Sequence, residues 1–174
     1  MTCGPFAVGQ GSHTADCGYF CGYVVMLNSQ PGGYRPGSIT QADVYAERDA
    51  FRRERGLPPG HYFLSVRDMT DFLSFLGLPR FTLYANAATP RYPHTVDGFK
   101  QRVQDAAGRT GGVILLLEQQ GQPGGHYIAV LGSQGEYLCC YDPANLARSG
   151  SHDANAFAQA FWEAATYLIE PPIG

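Results

Sequence analysis

An α+β fold, with helices in the first half and an antiparallel sheet gathered in the second, is the class this 174-residue sequence predicts. Three observations carry it. Capped amphipathic segments recur up to residue 108. Beyond it, three apolar runs, Val113–Leu117, Tyr127–Leu131 and Tyr137–Tyr141, are separated only by short glycine-rich stretches at Gln120–Gly125 and Gly132–Gly135, as in an antiparallel meander. Finally, 44% hydrophobic and 16% charged residues are enough for one core, so residues 1–174 read as a single domain.

The elements follow in order. Asp16 is a good N-cap for a helix from Cys17 to about Asn28 that is apolar on every side and so belongs in the middle of the domain. Gly18 and Gly22, four apart, give it a face that another backbone can approach. A strand at Tyr23–Leu27 is the competing reading. Residues 30–37, rich in Gly and Pro, form a loop. Ser38 or Thr40 caps a helix to about Arg55, stopped by Gly56 and the Pro58-Pro59-Gly60 turn. Val66–Leu76 is a third helix that buries Met69, Phe72, Leu73 and Leu76, with Gly77 and Pro79 beyond it. Phe81–Tyr84 is a short strand, followed by a loop with Pro90 and Pro93 and a helix over Val96–Ala107. Ser151 or Asp153 caps a last helix carrying Phe157, Phe161 and Trp162, and Thr166–Ile169 returns as an edge strand.

Charge and composition exclude several functions. The net charge is −3, and Arg48, Arg52, Arg53 and Arg55 alternate with Glu47, Asp49 and Glu54, which reads as a solvated helix face and not as a nucleic-acid footprint. No apolar run reaches the ~20 residues needed to span a bilayer. The start, Met1-Thr2-Cys3-Gly4-Pro5, lacks the basic and apolar regions of a secretory signal, so the expectation is a cytoplasmic protein, with export by a specialised secretion system left open. The five cysteines, Cys3, Cys17, Cys21, Cys139 and Cys140, have no paired disulfide spacing, so free thiols are expected. Zinc is not expected, because neighbours such as Cys139 and Cys140 in a strand point to opposite faces. No cofactor is implied, and the sequence assigns no oligomeric state.

Chemistry concentrates in two distant stretches. Thr14-Ala15-Asp16-Cys17-Gly18 puts a cysteine at the first position of a helix, where free N–H groups and the positive end of the dipole favour a thiolate. Gly125-His126-Tyr127-Ile128-Ala129-Val130 opens a strand on a histidine, and Tyr141-Asp142-Pro143 ends another on an aspartate. If these strands pair through the Gly132–Gly135 turn, residue 134 lies midway between 126 and 142, and His126 stands beside Asp142. Cys17, His126 and Asp142 can then act as nucleophile, base and orienter. The Cys17 N–H and the Gln10 side-chain amide are candidate oxyanion donors. Cys3 and Cys21 are lesser candidates for the nucleophile, and Asn145 for the orienter; His13 is near enough to Cys17 in sequence to line the cleft, though a polar loop histidine usually faces solvent, and His61, His94 and His152 have no evident partner.

Gln10, Asp16-Cys17-Gly18, Gly125-His126-Tyr127-Ile128-Ala129-Val130 and Tyr141-Asp142-Pro143-Ala144 together resemble the papain-like cysteine peptidases of the C39 type, the bacteriocin-leader peptidases and their stand-alone relatives. The resemblance implies a papain-like fold, with the nucleophile helix packed centrally on the sheet. It implies Cys17 as nucleophile, His126 as base, Asp142 as orienter and Gln10 as oxyanion donor, acting on a peptide or protein. Residues 30–112 match no motif of that family. The same core elsewhere supports glutamine deamidases, transamidases, effector proteases and non-catalytic binding modules, so fold alone does not fix the chemistry.

Overall fold

The computed structural model describes residues 3–11, 14–85, 95–118 and 125–173. The Pro90/Pro93 loop, most of the 120–125 turn, His13 and His94 lie outside them. A 3-10 turn, Thr14–Asp16, runs directly into α1 (Cys17–Asn28), followed by α2 (Gln41–Glu54), α3 (Val66–Phe75), β1 (Thr82–Ala85) and α4 (Val96–Ala107). Then come β2 (Val113–Leu117), β3 (His126–Gln134), β4 (Tyr137–Tyr141), a 3-10 turn Leu146–Arg148, β5 (Gly150–Asp153), α5 (Ala154–Phe161) and β6 (Ala165–Glu170). All pairings are antiparallel, in the order β1-β6-β2-β3-β4-β5.

Both faces of the sheet are covered, which explains the uninterrupted apolar strands. Ile114, Leu116, Tyr127, Ala129, Leu131 and Tyr141 pack with α1, α2 and α3. Their strand neighbours Leu115, Leu117, Ile128, Val130 and Cys140 pack with α4 and α5. Successive strand residues point to opposite faces, so a strand with helices on both sides is apolar at every position.

Caps settle several boundaries. Thr40, not Ser38, starts α2 through a reciprocal capping box with Asp43, and Asp153, not Ser151, caps α5 by accepting from the Ala156 N–H. α1 is helical throughout, against the alternative strand at Tyr23–Leu27. The close approach expected at Gly18 is present: a Cβ there would stand 2.9 Å from Met69 Cε and 3.1 Å from Tyr127 Cδ2.

Four expectations are corrected. The return strand is not an edge: β6 lies between β1 and β2, because β1, from before α4, pairs with its outer side. Arg48 and Arg52 are not on a solvated face but 5% and 7% exposed, their charges held by Asp16 and Asp49 and by the Pro58 carbonyl. The cysteines are not all free, since Cys3 and Cys139 form a disulfide. Lastly, β3 runs on to Gln134, which pairs with Tyr137, and a register shift lies between Val130 and Gly132. The turn is therefore further along than expected, and Ala129, not the residue opposite a 134 midpoint, faces Tyr141.

Candidate active site

Cys17 is the first residue of α1, reached by the 3-10 turn, and its side chain is fully buried. Its Sγ accepts the Tyr127 backbone N–H at 3.4 Å. This contact needs the helix to lie close against β3, which Gly18 allows by having no Cβ between α1 and the Tyr127 ring. One turn on, the Cys21 thiol donates to the Tyr127 carbonyl at 3.4 Å. Burial, followed by the charges of Cys17 and Asp142, pushes the Cys21 thiol well above its usual range, so Cys21 stays protonated. Cys3 is excluded as a thiol nucleophile by its disulfide.

His126 Nε2 lies 2.7 Å from Asp142 Oδ1. In the actual register these residues are diagonal neighbours, and diagonal pairs on one face remain within reach of long side chains. Asp142 is held from several sides: its N–H donates to Ser149 Oγ at 2.8 Å, and its Oδ1 also accepts the Ala144 N–H at 3.0 Å. Asn145 donates its backbone N–H to the Asp142 carbonyl and leads into the 3-10 turn, while the contact to His126 comes from Asp142. Cys17 is close enough to the imidazole to act on its ionisation. Burial pulls the His126 pKa down, but hydrogen bonds and charge from Asp142 and Cys17 outweigh it and raise the pKa from 6.5 to about 9. The His126 side chain is 31% exposed while Cys17 is closed off, so the site meets solvent at the imidazole.

Gln10 comes from the arm formed by residues 3–11. Its N–H donates to the Pro143 carbonyl at 2.9 Å, one residue past Asp142, and the Gln41 amide and Tyr141 hydroxyl tie the carbonyls of Gly9 and Val8. A Cβ at Gly9 would lie 2.4 Å from the Pro143 oxygen, so only glycine lets the arm come this close. Gln10 is 1% exposed, and its buried Oε1 has no hydrogen-bond partner among the described residues.

A second group of polar residues next to Cys17 in the chain was not foreseen. Asp16 does not cap α1; its fully buried carboxylate turns instead to Arg48 Nη1, at 3.3 Å, and to His61 Nδ1. Arg48 is four positions from Arg52 on α2, and this spacing was the one available hint that the two share a buried face. His61 had no sequence signal. His152, whose Nε2 contacts the Arg148 carbonyl, remains apart. Among the described residues no group of three or more His, Cys, Asp or Glu could hold a metal.

The structure is similar to the crystal structure of the peptidase domain of Streptococcus ComA, described as a bi-functional ABC transporter involved in a quorum-sensing pathway. The TM-score is 0.51 and the identity 18%, over 95% of this chain and 97% of that one. The chain has the papain-like α+β fold of that domain. The resemblance carried by the short motifs therefore extends to an architecture shared over 95% of the chain. No family model and no curated protein sequence matches it.

Proposed function

We propose that this chain is a cysteine peptidase in which Cys17 is the nucleophile, His126 the acid and base, Asp142 the orienter, and Gln10 with the Cys17 N–H the oxyanion donors. The observation that carries the reading is the imidazole bound through Nε2 to Asp142 and close enough to Cys17 to be acted on by it, with its pKa raised to about 9. An imidazole of that basicity is protonated at neutral pH and stabilises a thiolate beside it. The papain-like fold supports the same assignment.

The steps follow from the geometry. The thiolate attacks the carbonyl carbon of a peptide bond, a C–S bond forms, and the carbonyl oxygen takes the negative charge opposite the N–H donors. Collapse breaks the C–N bond as His126 gives its proton to the leaving amine. Water, losing a proton to His126, then cleaves the thioester and restores the thiolate. The substrate is a peptide or protein and no cofactor takes part. We take the chain as one domain. The Cys3–Cys139 bridge supports work in an oxidising compartment, hence export of the protein after synthesis.

The test is iodoacetamide labelling of the folded protein against pH, mapped by peptide, with His126→Ala in parallel. Selective labelling of Cys17 well below pH 8 that is lost in His126→Ala is the expected result. Labelling no faster than that of an unfolded thiol would sink the reading. Treated protein mixtures then give fragments if the activity is peptidase, or a gain of about one dalton if it is glutamine deamidation.

A further inference from the structure

An aspartate immediately before a helix normally caps it, its carboxylate accepting N–H groups of the first turn. Asp16 stands in that position and makes no such bond. Its carboxylate, fully buried, is drawn to the other side. Arg48 Nη1 reaches its two oxygens at 3.4 and 3.3 Å, and His61 Nδ1 contacts Oδ2. Both partners are themselves fixed by Tyr45. The guanidinium carbon of Arg48 lies 4.4 Å from the centre of that ring, and the His61 imidazole meets it edge-on at 5.5 Å. Arg48 Nε is also bound to Asp49, at 3.0 Å.

We propose that Arg48, assisted by His61, is a positioning residue that holds the Asp16 carboxylate away from the N-terminus of α1 and so keeps its negative charge off the place where the oxyanion forms. The inference rests on the hydrolase reading above. A carboxylate turned back onto the first turn would engage its donors and set a negative charge where the reaction develops another. Burying an aspartate beside the nucleophile is therefore tolerable only with a cation to hold it on the far side. The pair also accounts for the burial of Arg48 on α2. His61 ties in the segment leading to Phe63, whose ring stacks on Tyr127 at 5.4 Å, so the same cluster is linked to the residue whose N–H binds Cys17 Sγ.

Two reagents separate this role from mere support of the fold. With p-nitrophenyl acetate the Cys17 thiolate adds to an ester carbonyl, an oxyanion forms, and p-nitrophenolate leaves to give an acetyl thioester. With iodoacetamide the thiolate displaces iodide at a saturated carbon, and no oxyanion arises. Both rates are read at Cys17 by mass spectrometry, each at its pH plateau so that thiolate fraction drops out, with Cys17→Ala as the blank. Arg48→Met should slow acetylation by roughly tenfold or more, as loss of an oxyanion donor does, and leave alkylation unchanged within error. The double variant Arg48→Met/Asp16→Asn removes the stray charge and should recover most of the acetylation rate. It also serves if Arg48→Met does not fold, because no unpaired charge is then buried. Equal loss of both rates in Arg48→Met, or a slow double variant, would overturn the assignment of Arg48 alone. Wild-type protein that is alkylated but never acetylated at Cys17 would overturn the hydrolase reading and this inference together.

Discussion

His126 is acted on by both Asp142 and Cys17, and its ionisation decides the pH behaviour. Burial alone would favour the neutral ring; Asp142 and Cys17 reverse this and raise the pKa from 6.5 to about 9. A pKa raised on folding gives stability that is whole below the unfolded value, near 6.5, and is lost as pH climbs to about 9. The gap in urea midpoint between wild type and His126→Ala should therefore narrow across that window and be smallest above it. Catalysis follows the same proton. Peptide cleavage needs the imidazolium to protonate the leaving amine, so kcat/KM should fall as pH rises past about 9. Asp142→Asn removes one of the two groups that raise the pKa, so that limb should move to lower pH, and a pH profile of both proteins checks it. An alkaline limb that stays where it is in Asp142→Asn would mean that Asp142 does not set the charge of His126.

The elements bring these residues together through backbone contacts that tolerate no added atom. The 3–11 arm is the plainest case, since Gly9 lies against the Pro143 oxygen and sets the ladder bond of Gln10. Gly9→Ala places a methyl group 2.4 Å from a backbone oxygen that cannot rotate aside. It should cost about 1–3 kcal/mol, as overpacking does, and slow acetylation of Cys17 by p-nitrophenyl acetate more than alkylation, because the displaced group is Gln10. Equal effects on both reagents would detach Gln10 from oxyanion binding. Much of this architecture was legible because local chemistry wrote it: Thr40 with Asp43, Asp153, and the apolar faces of α3 and α4 mark helices without tertiary help. What was not legible depends on distant partners. Nothing near Thr166–Ile169 says that β1, some eighty residues earlier, will cover its outer side. A register shift inside β3 likewise leaves no mark on the composition of His126–Gln134. Asp16 looked like a cap because sequence neighbours cannot reveal a guanidinium arriving from α2.

Across the whole molecule, the sheet joins a helical layer that carries Cys17 to strand ends that carry His126 and Asp142. The Cys3–Cys139 disulfide links the start of the described chain to β4, on the layer that faces α1, and closes a loop with a sequence separation of 136. Closing so long a loop restricts the unfolded chain most, on the order of 5 kcal/mol by chain entropy and about 2–4 kcal/mol in typical proteins. The bridge is not what seats Gln10, because the hydrogen bonds from Gln10 to Pro143, from Gln41 to Gly9 and from Tyr141 to Val8 hold the arm closer to the site. Stability and chemistry should therefore separate. Cys3→Ser/Cys139→Ser should unfold at a lower urea concentration, by about 2–4 kcal/mol, yet acetylate Cys17 at nearly the wild-type rate in the absence of denaturant. Wild type in reductant should unfold like the double variant. Loss of acetylation without denaturant would show that the bridge holds the arm in its working place; an unchanged urea midpoint would show that the cysteines are not joined in the folded protein.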